Sequence, residues 1–186
     1  MSRTDGITLE FQRDSDAAGD ARWLDHIAEL RTRLARASTK EEQLQWQGRL
    51  GDWLRARPQT VEEAVALLDE VVTSLRTREE PGLLVTNLVR LATALQYARH
   101  HARAVPVFEE AIELASACEL QTVKGFAHQH VGKCLVEMGE LARARREFTR
   151  ALEIRLRGGD QSLIASTRRA LEGLEEIAPV WGRHIR

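Results

Sequence analysis

Along most of the chain, apolar residues return every three or four positions, the spacing of one buried helix face. Trp23, Leu24, Ile27, Leu30 and Leu34 make such a stripe near the start, and Ile164, Leu171, Leu174 and Ile177 make one near the end. Breaks between stripes fall at Pro58, Pro81, Gly139 and the pair Gly158-Gly159, all turn-forming residues. Thr39–Glu42 ("TKEE") and Thr60–Glu63 ("TVEE") carry the spacing of a capping box, which starts a helix. The pattern predicts eight helices, at about 20–37, 40–57, 60–78, 82–99, 102–118, 121–138, 141–157 and 161–178. Pro179 is expected to end the last of them, and Pro106 falls early in the fifth, where a proline is tolerated best. No segment alternates long enough to build a sheet. "ITLEF" (7–11) has strand character but stands alone near a terminus.

The stripes repeat. Displacing the chain by 40 residues lays Ala92, Leu95, Ala104, Phe108, Ala111 and Leu114 on Gly132, Leu135, Ala144, Phe148, Ala151 and Ile154. The same shift backwards puts Ala104, Phe108 and Ala111 on Ala64, Leu68 and Val71. One more residue aligns Leu50, Gly51 and Leu54 with Leu91, Ala92 and Leu95, and the extra residue falls in the turn "RARPQT", where length is cheap. Small residues at 51, 92 and 132 allow close approach of paired helices, and Leu68, Phe108 and Phe148 fill the space that remains. Each pair has too little core of its own and must stack on the next.

These residues resemble the tetratricopeptide repeat (TPR) in its bacterial form of about 40 residues. The resemblance covers roughly 44–178, with units at about 44–78, 85–118 and 125–158. It implies an all-α, right-handed solenoid of antiparallel helix pairs. About three units would stand between an N-terminal cap helix and a C-terminal solvating helix, making one helical domain over 20–178. Residues 1–19 and 179–186 are expected to be flexible ends. The chain departs from the family at the aromatic expected early in each first helix, where Gln47, Leu88 and His128 stand, and in lacking the unit-ending proline. Glu172 replaces the small residue of the last helix, as suits an end cap.

The resemblance also implies function. Members of this family bind a peptide or a partner helix along the concave surface made by the first helix of each pair. Carried across position by position, that surface is Arg49, Asp52 and Arg55, then Val89, Arg90, Thr93, Gln96 and Tyr97, then Phe126, Gln129, His130, Lys133 and Glu137, with Arg169 continuing the line. Positive groups outnumber negative ones. Arginine clamps carboxylates through two parallel bonds, so an acidic peptide or a C-terminal carboxylate is the expected partner. The alternative is an ordinary solvated helix face. Relatives that clamp chaperone tails use a Lys/Asn set; Val89, Thr93, Phe126 and His130 occupy those positions here, against that particular partner.

Composition narrows the field further. With 186 residues, 43% hydrophobic and 30% charged, the chain suits one globular domain. A net charge of −1 gives no bulk attraction for nucleic acid or membrane. The run "ARARR" (142–146) reads as solvated arginine on the outer face rather than a nucleic-acid contact. Cys118 and Cys134 have no metal-ligand spacing and read as reduced, helix-borne thiols. No apolar run is long enough to cross a membrane, and the start lacks a signal peptide's apolar core, so cytoplasm is the expected compartment. The preference for arginine over lysine suggests a GC-rich bacterial genome. Neither His100-His101 nor His128 and His130 have the spacing of a metal pair on one helix face, and no nucleophile or phosphate-loop motif occurs. The expectation is a non-enzymatic binding protein without cofactor. A second possibility is self-association through the helical ends, with Trp23, Trp46, Trp53 and Trp181 as contact residues.

Overall fold

The computed structural model describes the backbone of residues 17–181, and side chains over 21–176. Within those residues the chain forms eight α-helices and no strand: α1 (Ala17–Arg36), α2 (Lys40–Leu54), α3 (Val61–Leu75), α4 (Pro81–Tyr97), α5 (His101–Ala117), α6 (Gln121–Glu137), α7 (Leu141–Gly158) and α8 (Gln161–Trp181). The segment 7–11 and the last five residues lie outside the described region. Helix α8 continues through Pro179, which the sequence pattern took as its end. A proline removes the bond its own nitrogen would donate but need not stop the helix that carries it.

Each helix packs on the next along the chain, from α1 on α2 to α7 on α8. In addition α2 lies against α4, and α4 against α6, so these three even-numbered helices form a continuous wall. Odd-numbered helices are bridged instead by long side chains. Arg31 reaches Glu63 from α1 to α3, Arg76 reaches Glu110 from α3 to α5, and Arg143 lies 3.9 Å from Glu109 between α7 and α5. The even row is therefore the tighter, inner layer and the odd row the outer one.

Repeating contacts build the core. A Cβ added to Gly51 would lie 2.5 Å from Leu68 Cγ, and one added to Gly132 would lie 2.5 Å from Phe148 Cε1. Ala92 and Phe108 take the equivalent places in the middle unit, and both are fully buried. Burying each large side chain contributes about 1.5–3 kcal/mol. A smaller cluster of Leu44, Val71 and Leu75 closes the junction of α2, α3 and α4.

The turns repeat as well. Arg99 and Gly139, forty residues apart, both have positive φ, at 62° and 80°. Glu119 and Gly159, again forty apart, have φ of 57° and 77°. The amides of His100, Leu120 and Glu140 each bond back to the carbonyl five residues earlier at 2.8 Å, the mark of a Schellman end. At the helix starts the two expected capping boxes differ. Thr39 Oγ1 accepts from the Glu42 amide at 3.1 Å, as predicted. Thr60 makes no side-chain cap; its hydroxyl donates to Leu54 O at 2.6 Å and ties the α2–α3 turn shut.

Candidate functional site

The inner wall is where the polar side chains of the even helices gather. At its α2 end, Asp52 is the hub. Arg55 Nε lies 2.8 Å from one carboxylate oxygen and Arg90 Nε 3.9 Å from the other. Arg90 also donates to Asn87 Oδ1 at 3.3 Å. Its guanidinium is held below the usual arginine range, by burial first, against the pull of Asp52 and with the push of Arg49 and Arg55. Two arginines therefore share one acid, with Arg49 close enough to act on Arg90.

A cleft of about 420 Å³ opens beside this hub, between α1, α2 and α4. Trp46, Trp53, His26 and Leu30 line it beside Arg33, Arg49 and Arg90, with Asp52 and Glu29, which is bonded to Arg33, as its acids. Arg33 and Arg49 both lie over the Trp46 ring, at 5.0 and 4.9 Å. The His26 ring contacts Trp53 at 4.1 Å between centroids. Trp46 and Trp53, seven residues apart on α2, thus line one cleft.

The α4–α6 seam is more deeply buried. Val89, Thr93, Gln96, Gln129 and His130, all expected on the surface, lie beneath it. The reason is the contact of α4 with α6, which covers whatever each helix turns toward the other. Thr93 satisfies its hydroxyl on Val89 O at 2.7 Å. His130 Nδ1 meets Gln96 Oε1 at 2.7 Å, and its ring rests against Phe126 at 4.4 Å. Burial, then the neighbouring charges of Lys133, Arg55 and Arg155, holds His130 well below its ordinary pKa, so the ring is neutral. Tyr97, at the open end of α4, carries the Arg55 guanidinium over its ring at 5.4 Å.

Lys133 lies partly exposed on α6, one turn beyond Gln129. Its pKa is lowered to about 8, by burial first and then by Arg155, while Glu137 opposes the shift. Glu137 is itself drawn toward α5, with His101 Nε2 2.8 Å away but out of line for a hydrogen bond. Burial pushes the Cys134 thiol on the same helix up to about 12.

Arg155, which the sequence pattern did not single out, completes the group. It comes from α7 and is 7% exposed. Its Nη1 donates to Gln129 Oε1 at 3.2 Å, to Leu163 O at 3.1 Å and to Thr167 Oγ1. One signal was available: Arg155 stands forty residues after Ala115, a buried position, so an arginine there has to be given partners. Arg169, by contrast, is exposed on α8 and is not brought into the cluster.

Among the described residues, no group of three or more His, Cys, Asp or Glu could hold a metal ion. His128 pairs with Glu147 at 2.7 Å, on the opposite side of α6 from the His130–Gln96 contact. No described helix is long and apolar enough to cross a membrane. On the outer layer the "ARARR" arginines have acidic neighbours: Arg143 bonds to Glu140 at 2.6 Å and Arg145 to Glu175 at 3.2 Å.

No protein-family model and no curated protein matches the chain. Solved structures do. The apo form of RapI superposes with a TM-score of 0.69 over 90% of this chain, at 18% sequence identity. BtubC (BKLC) from P. vanneervenii superposes with a TM-score of 0.62 over 86% of it, at 19% identity. The match takes in 49% of RapI and 66% of BtubC. At these identities the likeness concerns the fold, and the chain shares a helical-repeat architecture with both proteins.

Proposed function

We propose that this chain is a non-catalytic protein-interaction module of tetratricopeptide type, holding an acidic segment of another protein along its even-numbered helices. One observation carries the reading. The chain as a whole has a net charge of −1, yet Arg49, Arg55, Arg90, Lys133 and Arg155 cluster on or just under the inner wall, with Asp52, Glu137 and Asp160 as the nearby acids. Charge that is balanced overall is segregated locally, which favours a partner of opposite sign. The arginines and aromatic rings of the α1–α2–α4 cleft are also the residue types that most often anchor a bound chain.

The test is capture from lysate by the immobilised full chain, compared with Arg49→Glu and Arg90→Gln variants. Circular dichroism would confirm that both remain folded. The proposal expects a partner that is acidic where it binds and that both variants lose. Capture that both variants retain at full strength would remove the inner wall from consideration.

Self-association is the second reading, favoured by Leu24 on α1 and Leu156 on α7, which are 60% and 50% exposed. A mass that rises with concentration in light scattering, and falls on Leu24→Ser, would support it. Nucleic-acid binding has less support, since Arg143 and Arg145 already have acidic partners.

A further inference from the structure

The α1–α2–α4 cleft and the start of α1 meet at one edge of the fold. Helices α1 and α2 run antiparallel: Trp23 Nε1 donates to Trp53 O at 3.1 Å, and farther along α1 the Arg33 guanidinium lies over the Trp46 ring. The beginning of α1 therefore stands beside the end of α2, where Trp53 lines the cleft and is 41% exposed. Residues 1–16 precede α1 and so enter the fold at the Trp53 end of the cleft.

The lengths agree. On α1 the cleft is lined by His26, Glu29, Leu30 and Arg33, which share one helical face. A chain that turns back at Ala17 runs along that face. From Ala17 to His26 is about 14 Å of helix, and residues 12–16 in extended form cover about 17 Å. Phe11 then comes level with His26 and Trp53. Beyond it, an extended stretch back to Ile7 spans about 13 Å, against about 11 Å of helix from His26 to Arg33. Segment 7–11 has the length of the cleft.

The chemistry agrees as well. In "ITLEF" an extended backbone sets Ile7, Leu9 and Phe11 on one edge and Thr8 and Glu10 on the other. The cleft offers Leu30, Trp53 and the His26 ring at the α1–α2 seam, and Arg90 from α4 with Arg49 near it. Residues 1–16 carry Asp5, Glu10, Asp14 and Asp16 against Arg3 and Arg13, an excess of acid facing a site with three arginines. At about 420 Å³ the cleft is of a size that takes several side chains. Because the segment is tethered, even weak contacts meet a high effective concentration.

We propose that residues 7–11 occupy this cleft in their own molecule, apolar edge against Leu30 and Trp53 and Glu10 toward Arg49 and Arg90. The segment then covers the α2 end of the inner wall and must be displaced before anything else enters. That consequence rests on the proposed function; the docking itself does not.

The test is nuclear magnetic resonance on the full ¹⁵N-labelled chain, carrying Cys118→Ser and a nitroxide on Thr4→Cys; the buried Cys134 stays unlabelled. We expect the Trp46 and Trp53 indole N–H signals to be broadened by the nitroxide, and Leu9→Ser with Phe11→Ser to restore them. Indole signals that the nitroxide leaves sharp would overturn the proposal. A ¹⁵N chain without nitroxide, mixed with an unlabelled nitroxide-bearing chain, separates the two sources of contact. Broadening confined to that mixture would assign the cleft to a second copy and overturn docking within one molecule. A fluorescein-labelled hexaglutamate peptide then reads the consequence. Apparent affinity scales with the fraction of open clefts, so Leu9→Ser with Phe11→Ser should tighten its binding about threefold or more. Equal affinity in parent and variant would overturn the covering role. Broadening as expected, with no peptide binding in either protein, would leave the docking standing and remove the inner-wall reading.

Discussion

Gly132 lies directly against the Phe148 ring: a Cβ on residue 132 would meet Cε1, Cδ1 and Cζ at 2.5, 2.6 and 2.9 Å. The ring cannot bend away as the end of a long side chain could, and it is fully buried. Gly132→Ala should therefore destabilise the fold. Overpacking costs about 1–3 kcal/mol, offset by about 1 kcal/mol of better helix propensity. A net loss of up to about 2 kcal/mol should lower Tm by up to several degrees in a chain of this length. Phe148→Leu in the same molecule should recover part of the loss, and a double-mutant cycle measured by urea unfolding checks this. Additive losses would mean that the two residues are not coupled.

Lys133 gives the fold an alkaline signature. Its pKa in the folded state is about 8, against 10.5 for the free side chain. Between those values the unfolded chain holds the extra proton, so this residue's contribution to stability rises with pH across that window. Below about pH 8 the buried charge costs the folded state its full penalty. Lys133→Met should stabilise the protein at pH 7 by on the order of 1–3 kcal/mol, and the advantage should vanish by about pH 10.5. Urea midpoints of the two proteins at pH 7, 9 and 10.5 test it, since other titrations cancel in the difference.

His130 gives the opposite edge. Burial holds its folded pKa well below 6.5, so the unfolded chain takes up the proton first as pH falls. Its contribution is intact above about pH 6.5 and is lost progressively below it. Substituting His130→Gln should flatten that acid limb while leaving the limb from other groups. A variant whose acid unfolding matches the parent would contradict the assignment.

Arg99 and Glu119 occupy the left-handed turn positions that glycine fills at 139 and 159. A non-glycine residue there is held at φ 62° or 57° against its steric preference. Arg99→Gly and Glu119→Gly should each be neutral to stabilising, by up to about 1 kcal/mol, even though glycine loosens the unfolded chain. Differential scanning calorimetry decides. A loss above that size would show that the side chains hold the turns.

The thiols should differ in reactivity. Cys134 is buried with its pKa pushed up to about 12, whereas Cys118 is part-exposed at the end of α5. Iodoacetamide at pH 8 should label Cys118 well before Cys134, and mass spectrometry of the peptides reads the order.

The repeated architecture was legible because one small–large contact returns at a fixed interval. Gly51 with Leu68 and Gly132 with Phe148 are the pairs that the forty-residue pattern brought out. Helix positions followed from the same stripes, with bounds shifted by up to three residues. Thr60 misled in detail, because its hydroxyl turns back to donate to Leu54 O and does not accept from a backbone amide of the helix start, as a cap requires. The site was harder to read. Arg55 and Arg90 come together around Asp52, with Arg49 near Arg90, from helices that the pattern could pair. Gln129 and His130 sink into the α4–α6 seam, because helical periodicity gives a residue's face and not how closely the next helix lies. Arg155 escaped notice because the inner wall was assigned to the first helix of each pair, and Arg155 reaches it from the second.

The central claim, that the inner wall holds acidic chain, is tested most directly by fluorescence anisotropy with two labelled peptide pools. The pools are identical except that Asp and Glu in one are replaced by Asn and Gln in the other. The account predicts that the acidic pool binds, that binding weakens steeply with salt, and that Arg49→Glu and Arg90→Gln each reduce it about tenfold or more. Equal binding of the two pools, or acidic-pool binding unchanged in both variants, would contradict it.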